Sequence, residues 1–140
     1  MTEDCVFCRI VAGEADASVA YEDEGTLAFM DLGQFNPGHT LVVPKRHVGD
    51  IFDLDDETGA SLMAAVTRVA RGVRQAFAPD GINLWQSNGA PWQEVFHVHV
   101  LPRWREDGVL RFSPPQRQRP ARRELDEQAV KIREALQRDA

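Results

Sequence analysis

Residues 94 to 103 read EVFHVHVLPR, which sets His97 and His99 two apart inside an apolar run that stops at Pro102-Arg103. Imidazoles so placed can ligate a metal, move protons, or attack phosphorus through a ring nitrogen. Attack needs one neutral, oriented imidazole, with a second histidine and nearby amide or backbone N–H donors to stabilise the charge that builds on the phosphoryl oxygens. Side chains alternate along a strand, so both histidines share one face while Phe96, Val98 and Val100 line the other and pack a core. A single strand histidine is more often structural than catalytic. Two on one face, beside an Asn88-Gly89 loop, put the catalytic reading on an equal footing with the structural one.

A second cluster is Cys5-x-x-Cys8, the only two cysteines in the chain. They sit too close in sequence for a disulfide between them to staple the fold. A metal pair, a redox pair and two buried thiols all remain open. A structural zinc site takes four ligands, so the metal reading requires two more.

The elements that must position these groups follow from periodicity. SVAYEDEGTLAFMD (18–31) contains two short apolar runs split by Glu22-Asp23-Glu24-Gly25, a hairpin. An Asn36-Pro37-Gly38 turn leads to a third strand from His39 to Val43, ended by Pro44. Leu62, Val66, Val69 and Val73 form the stripe of an amphipathic helix over about residues 57–77, with Asp55 or Asp56 as N-cap and Pro79-Asp80-Gly81 as its stop. A fourth strand at 82–87 and the loop Asn88 to Pro91 precede the histidine strand. Residues 105–123 are expected to be irregular and 124–138 to form a C-terminal helix.

The whole chain of 140 residues is read as one α+β domain, a length that buries roughly two-thirds of the unfolded surface. A formal net charge of −6 argues against nucleic acid as partner, although the arginines gather after residue 100 and could make a local basic face. No stretch approaches the ~20 apolar residues of a membrane span. A cytoplasmic location is expected.

Three blocks in order, CVFCRIVAGE, AFMDLGQFNPGHTLVVPKRH and QSNGAPWQEVFHVHVLPR, resemble the histidine-triad (HIT) hydrolases and transferases. That family's signature is HxHxHxx, with x apolar, after a Gln-x-Val run. The resemblance implies a HIT-like fold: a five-stranded antiparallel sheet with two helices, commonly a homodimer, binding purine nucleotides. It further implies attack by a triad histidine on the α-phosphorus and a nucleotidyl-histidine intermediate that water hydrolyses, with no cofactor required for catalysis. The substrate would be a phosphoramidate, an adenylate or a dinucleoside polyphosphate.

This chain departs from the signature by two residues, since the family's run would read HVHVHVLPR. Aligned on Gln93 to Phe96, His97 is the first triad histidine, His99 the nucleophile, and Leu101 stands in third place. Aligned on Pro102-Arg103, His97 is the nucleophile, His99 the third histidine, and Val95 takes the first place. A two-residue deletion keeps the alternation, so periodicity does not choose. The first register is favoured because Gln93 and its loop belong to the phosphate-binding turn.

Carried over residue by residue, the resemblance gives His39 as support for the nucleophile and Asp31 as holder of the ribose hydroxyls. Val6, Phe7, Ile10 and Leu32 match the base pocket, and Gln86, Ser87, Asn88 and Gln93 are the phosphate contacts. The bacterial branch implies a structural zinc on Cys5, Cys8, His47 and His97. The alternative function is a purine-nucleotide-binding module that lost turnover with the third histidine.

Overall fold

The computed structural model describes residues 4–89, 95–109 and 118–138. The chain divides into two compact units, Met1–Val109 and Leu110–Ala140. In the first, α1 (Val6–Val11) precedes the strands β1 (Val19–Glu22), β2 (Thr26–Met30) and β3 (Thr40–Pro44). A single 3-10 turn (Ile51–Asp53), the helix α2 (Asp56–Phe77) and the strands β4 (Gly81–Trp85) and β5 (Val98–Arg103) follow. The second unit holds α3 (Arg122–Arg138), which has no buried residue.

The strands form one antiparallel sheet in the order β1-β2-β3-β5-β4. The five-stranded antiparallel fold expected from the sequence is what forms, with three helices rather than two among the described residues. The additional helix is α1, six residues long and too short for a periodic stripe to reveal. The Cys5 thiol caps it by accepting from Cys8 N–H at 3.4 Å. Helix α2 is capped by Asp55, whose carboxylate accepts from Thr58 N–H at 2.9 Å, and it stops where Ala78 turns left-handed at φ 48°. Among the described residues, no helix is long and apolar enough to cross a membrane.

Alternation along the strands makes the sheet two-faced. Ala28, Val42 and Val100 pack with Leu62, Ala65, Val66, Val69 and Val73 of α2, joined by Val48 and Phe96. Each such valine or leucine contributes about 1.5–3 kcal/mol when buried. Leu27, Phe29, Leu41 and Val43 face the other way and are covered by Phe7, Ile10 and Val11 of α1. Leu41 pairs with His99, and His99 with Trp85, so the histidines belong to the α1 face rather than the α2 core.

Gly38 fixes the entry to β3. Its φ is +91°, a conformation that disfavours any side chain, and a Cβ there would lie 2.9 Å from Phe77 and 3.1 Å from Pro102. The expected result for Gly38→Ala is a loss of about 1–3 kcal/mol from overpacking alone, read as a lower urea midpoint at unchanged m-value. A midpoint equal to wild type would show that this turn does not constrain the fold.

Candidate active site

His39 immediately precedes β3, His97 immediately precedes β5, and His99 is the second residue of β5. The pairing of β3 with β5 therefore brings residues sixty apart into one cluster: His39 Nε2 lies 2.9 Å from His99 Nδ1, and His99 Nε2 lies 3.1 Å from His97 Nε2. The ends of this chain of rings are anchored on backbone. Phe35 N–H donates to His39 Nδ1 at 3.3 Å, and His97 Nδ1 lies 2.8 Å from the carbonyl of Val95.

Those anchors dictate the tautomers when all three rings are neutral. His39 Nδ1 accepts, so its proton is on Nε2 and is donated to His99 Nδ1. His99 then carries its proton on Nε2 and donates to His97 Nε2, while His97 keeps its proton on Nδ1 for Val95. The result is a directional relay that runs from His39 through His99 to His97.

Burial keeps the rings neutral. Desolvation pushes the pKa of His39 and of His97 below the ordinary 6.5, and it does the same to His99, whose value falls to about 4 with the other two imidazoles adding to the shift. Asp31 works in the opposite sense. Its Oδ2 lies 3.4 Å from His39 Nε2 and 3.9 Å from His99 Nδ1, while its Oδ1 accepts from Gly33 N–H at 2.9 Å. Trp85 lies flat on His99 with centroids 4.1 Å apart and planes 7° from parallel, and Phe35 stacks on His39 at 5.7 Å. Phe7 of α1 meets His97 edge-on at 5.2 Å.

Three of the four expected metal ligands come together. Cys5, Cys8 and His47 form one group, with Cys8 Sγ 3.1 Å from His47 Nδ1. Two sulfurs and an imidazole suit a zinc-type ion. The fourth expected ligand, His97, is not in this group. Its nitrogens are engaged by Val95 and His99 instead.

The expected nucleotide contacts are dispersed in part. Phe7 and Ile10 pack on the sheet, whereas Val6 and Leu32 are exposed, Leu32 completely. Gln86 and Asn88 pair their side-chain amides at 2.6 and 2.7 Å, and Asn88 Oδ1 also accepts from Ile51 N–H, so this loop is internally held. The carbonyl of Ser87 accepts from Gln86 Nε2. Gln93 lies outside the described residues.

Sequence reasoning missed a clamp beneath the site. Asn36 donates through Nδ2 to the Pro102 carbonyl at 3.0 Å and to Asp107 Oδ2 at 2.8 Å, which ties the turn before His39 to the end of β5. Asp107 also accepts twice from Arg103 at 2.8 Å and from the N–H groups of Trp104 and Val109. These donors, the Arg103 guanidinium foremost, hold its carboxyl far below the usual carboxylate range. Arg103 is thus committed internally rather than to a basic face. The four-residue spacing of Arg103 and Asp107 was the available signal; the contact with Asn36 had none.

The HIT domain profile matches residues 12–105. The chain is similar to a Bacillus subtilis protein named "Protein hit", 42% identical over 105 residues that span 73% of this chain and 72% of that one. It is also similar to an adenosine 5'-monophosphoramidase of Schizosaccharomyces pombe, 32% identical over 106 residues, 74% and 77% of the two chains. Among solved structures, a HIT family protein from Bacillus anthracis superposes with a TM-score of 0.87 at 34% identity, covering 96% and 99% of the two chains. A zinc-bound histidine triad family protein from Mycobacterium smegmatis gives 0.71 at 42% identity, covering 86% of each.

Depressed histidine pKa values make stability depend on pH. Between pH 6.5 and about 4 the unfolded chain binds protons that the folded relay refuses, so stability is complete above 6.5 and is lost as pH falls. The melting temperature should decline over that window, and His99→Gln should flatten the decline. Equal slopes for the two proteins would exclude the relay as the titrating element.

Proposed function

The chain belongs to the HIT domain family, and from that membership we propose that it is a nucleotide hydrolase or nucleotidyl transferase acting at the α-phosphate of purine nucleotide conjugates. The phosphoramidase activity in the name of the fission-yeast relative supports a nucleoside phosphoramidate or a related adenylate as substrate. Reaction proceeds through a nucleotidyl-histidine: a ring nitrogen attacks phosphorus, the leaving group departs with a proton, and water then cleaves the P–N bond.

The observation that carries this reading is the neutral imidazole relay, and it supports His97 as the attacking residue. Val95 holds the His97 proton on Nδ1, which leaves a lone pair on Nε2 directed into the cluster. His99 has the complementary state, because its Nε2 carries the proton and its Nδ1 accepts from His39. When substrate replaces His99 as the neighbour of His97 Nε2, the His99 N–H is available to a phosphoryl oxygen or the leaving group. This corresponds to the register set by Pro102-Arg103, with Val95 in the first place, rather than the one that the loop favours. Asp31 lends negative charge to the rings as positive charge develops on them.

A structural zinc on Cys5, Cys8 and His47 is part of the proposal, supported by the converging donors and the zinc-bound mycobacterial neighbour. The ion would tie α1, and with it Phe7, to the segment after β3. About one zinc per chain is expected from elemental analysis of protein purified without chelator, falling sharply in Cys8→Ser. A wild-type content far below one would remove the ion from the proposal.

The reaction is tested by incubating wild type, His97→Ala and His99→Ala with an adenosine phosphoramidate and recording turnover and intact mass. His97→Ala should lose the AMP adduct entirely, whereas His99→Ala should still label but turn over about 10²–10⁴-fold more slowly. Labelling of His97→Ala with loss in His99→Ala would return the nucleophile to His99. Binding of AMP without turnover or label in wild type would make the protein a binding module.

A further inference from the structure

Three ligating atoms converge at the opposite end of the relay from His97. His39 Nε2 and His99 Nδ1 are 2.9 Å apart, and Asp31 Oδ2 lies 3.4 Å from the first and 3.9 Å from the second. A tetrahedral zinc-type ion with bonds of about 2.0–2.2 Å sets its ligands roughly 3.3–3.5 Å apart. The triangle brackets that value on all sides, so small ring and carboxylate adjustments admit an ion.

We infer that Asp31, His39 and His99 form a second site for a divalent transition cation such as zinc, separate from the cysteine group. The donor set is two imidazole nitrogens and one carboxylate oxygen, which suits zinc, cobalt or nickel rather than magnesium or calcium. The rings are already packed in place. Trp85 lies against the face of His99 and Phe35 against that of His39, which holds both ring planes in place. His39 is fully buried, while the Asp31 side chain is 20% exposed and supplies the side from which an ion and its fourth ligand, a water, enter.

Binding also has a definite cost in hydrogen bonds. The proton on His39 Nε2 must move to Nδ1, where Phe35 N–H now points at 3.3 Å, so that backbone contact breaks and the His39–His99 bond is replaced by the ion. The proton stays on the ring, and His99 Nδ1 already presents its lone pair, so no net proton is released from these two residues. Occupancy is therefore reversible and weaker than at the cysteine group, where thiolates bind. While the ion is bound, His39 cannot donate to His99, and the relay is interrupted at its first link.

Cobalt(II) separates the two sites, because thiolate ligands give intense charge-transfer bands and a nitrogen–oxygen set gives only d–d bands. The full chain carrying Cys5→Ser and Cys8→Ser is titrated with cobalt and followed by absorption, with near-UV circular dichroism as the check on folding. One equivalent with d–d bands alone is expected, and adding Asp31→Asn or His39→Gln should weaken it at least about tenfold. A folded cysteine variant with no d–d band overturns the site, as does unchanged affinity in Asp31→Asn. If the cysteine variant fails to fold, wild type preloaded with one zinc per chain is dialysed against cobalt, and uptake of no further ion overturns the site. The ion also blocks turnover if the proposed reaction is right. Cobalt that binds with the predicted spectrum yet leaves turnover intact would count against the catalytic role of the relay, while the site itself stands.

Discussion

The structure turns on a row of three imidazoles that must stay neutral. Buried rings resist charging, and neutral rings have one donor and one acceptor each, so a row of them conducts hydrogen bonding in only one direction once an end is fixed. Both ends are fixed here by main chain, the Phe35 N–H and the Val95 carbonyl. Because backbone anchors do not rotate or titrate, the arrangement leaves each histidine a single tautomer. The protonation state of His97 Nε2 then depends on where two loops place two backbone groups.

That placement explains the attention the fold gives to the turn before β3. Gly38 provides a left-handed residue packed close to Phe77 and Pro102, and Asn36 is tied to the Pro102 carbonyl and to Asp107. The Arg103–Asp107 pair is more than a surface ion pair, because Asp107 is 8% exposed and accepts from several backbone and side-chain donors at once. Leaving such a group unpaired would cost more than the pair itself contributes. The clamp therefore acts as a fixed post to which the loop carrying Phe35 is secured.

The two faces of the sheet divide the work. The α2 face is a conventional apolar core, which tolerates substitutions that conserve volume. On the α1 face, apolar residues of β2 and β3 lie beside the histidines, and α1 covers them with Phe7 meeting both Phe29 and His97. A six-residue helix is marginal on its own. The contact of Cys8 with His47 gives α1 a tether to the segment following β3, and Phe7 on the same helix carries that constraint to His97.

Much of this was legible in the sequence. The α2 stripe, the hairpin, the Asn36-Pro37-Gly38 turn and the alternation around His97 and His99 are local patterns, and local patterns are what periodicity reads. The three blocks of resemblance added the antiparallel sheet and joined His39 to the pair. What the sequence left undecided was register and partnership. A shift of two residues along β5 leaves every face unchanged, so the choice between His97 and His99 rests on which ring nitrogen meets Val95 and which meets His39. Trp85 over His99, Asp31 beside two imidazoles, Asp107 under Asn36, and His97 in the relay rather than with the cysteines are contacts between strands and loops distant in the chain. Only tertiary structure decides these, because a hydrogen bond is fixed by distance and direction in space, and sequence spacing constrains neither across a crossover.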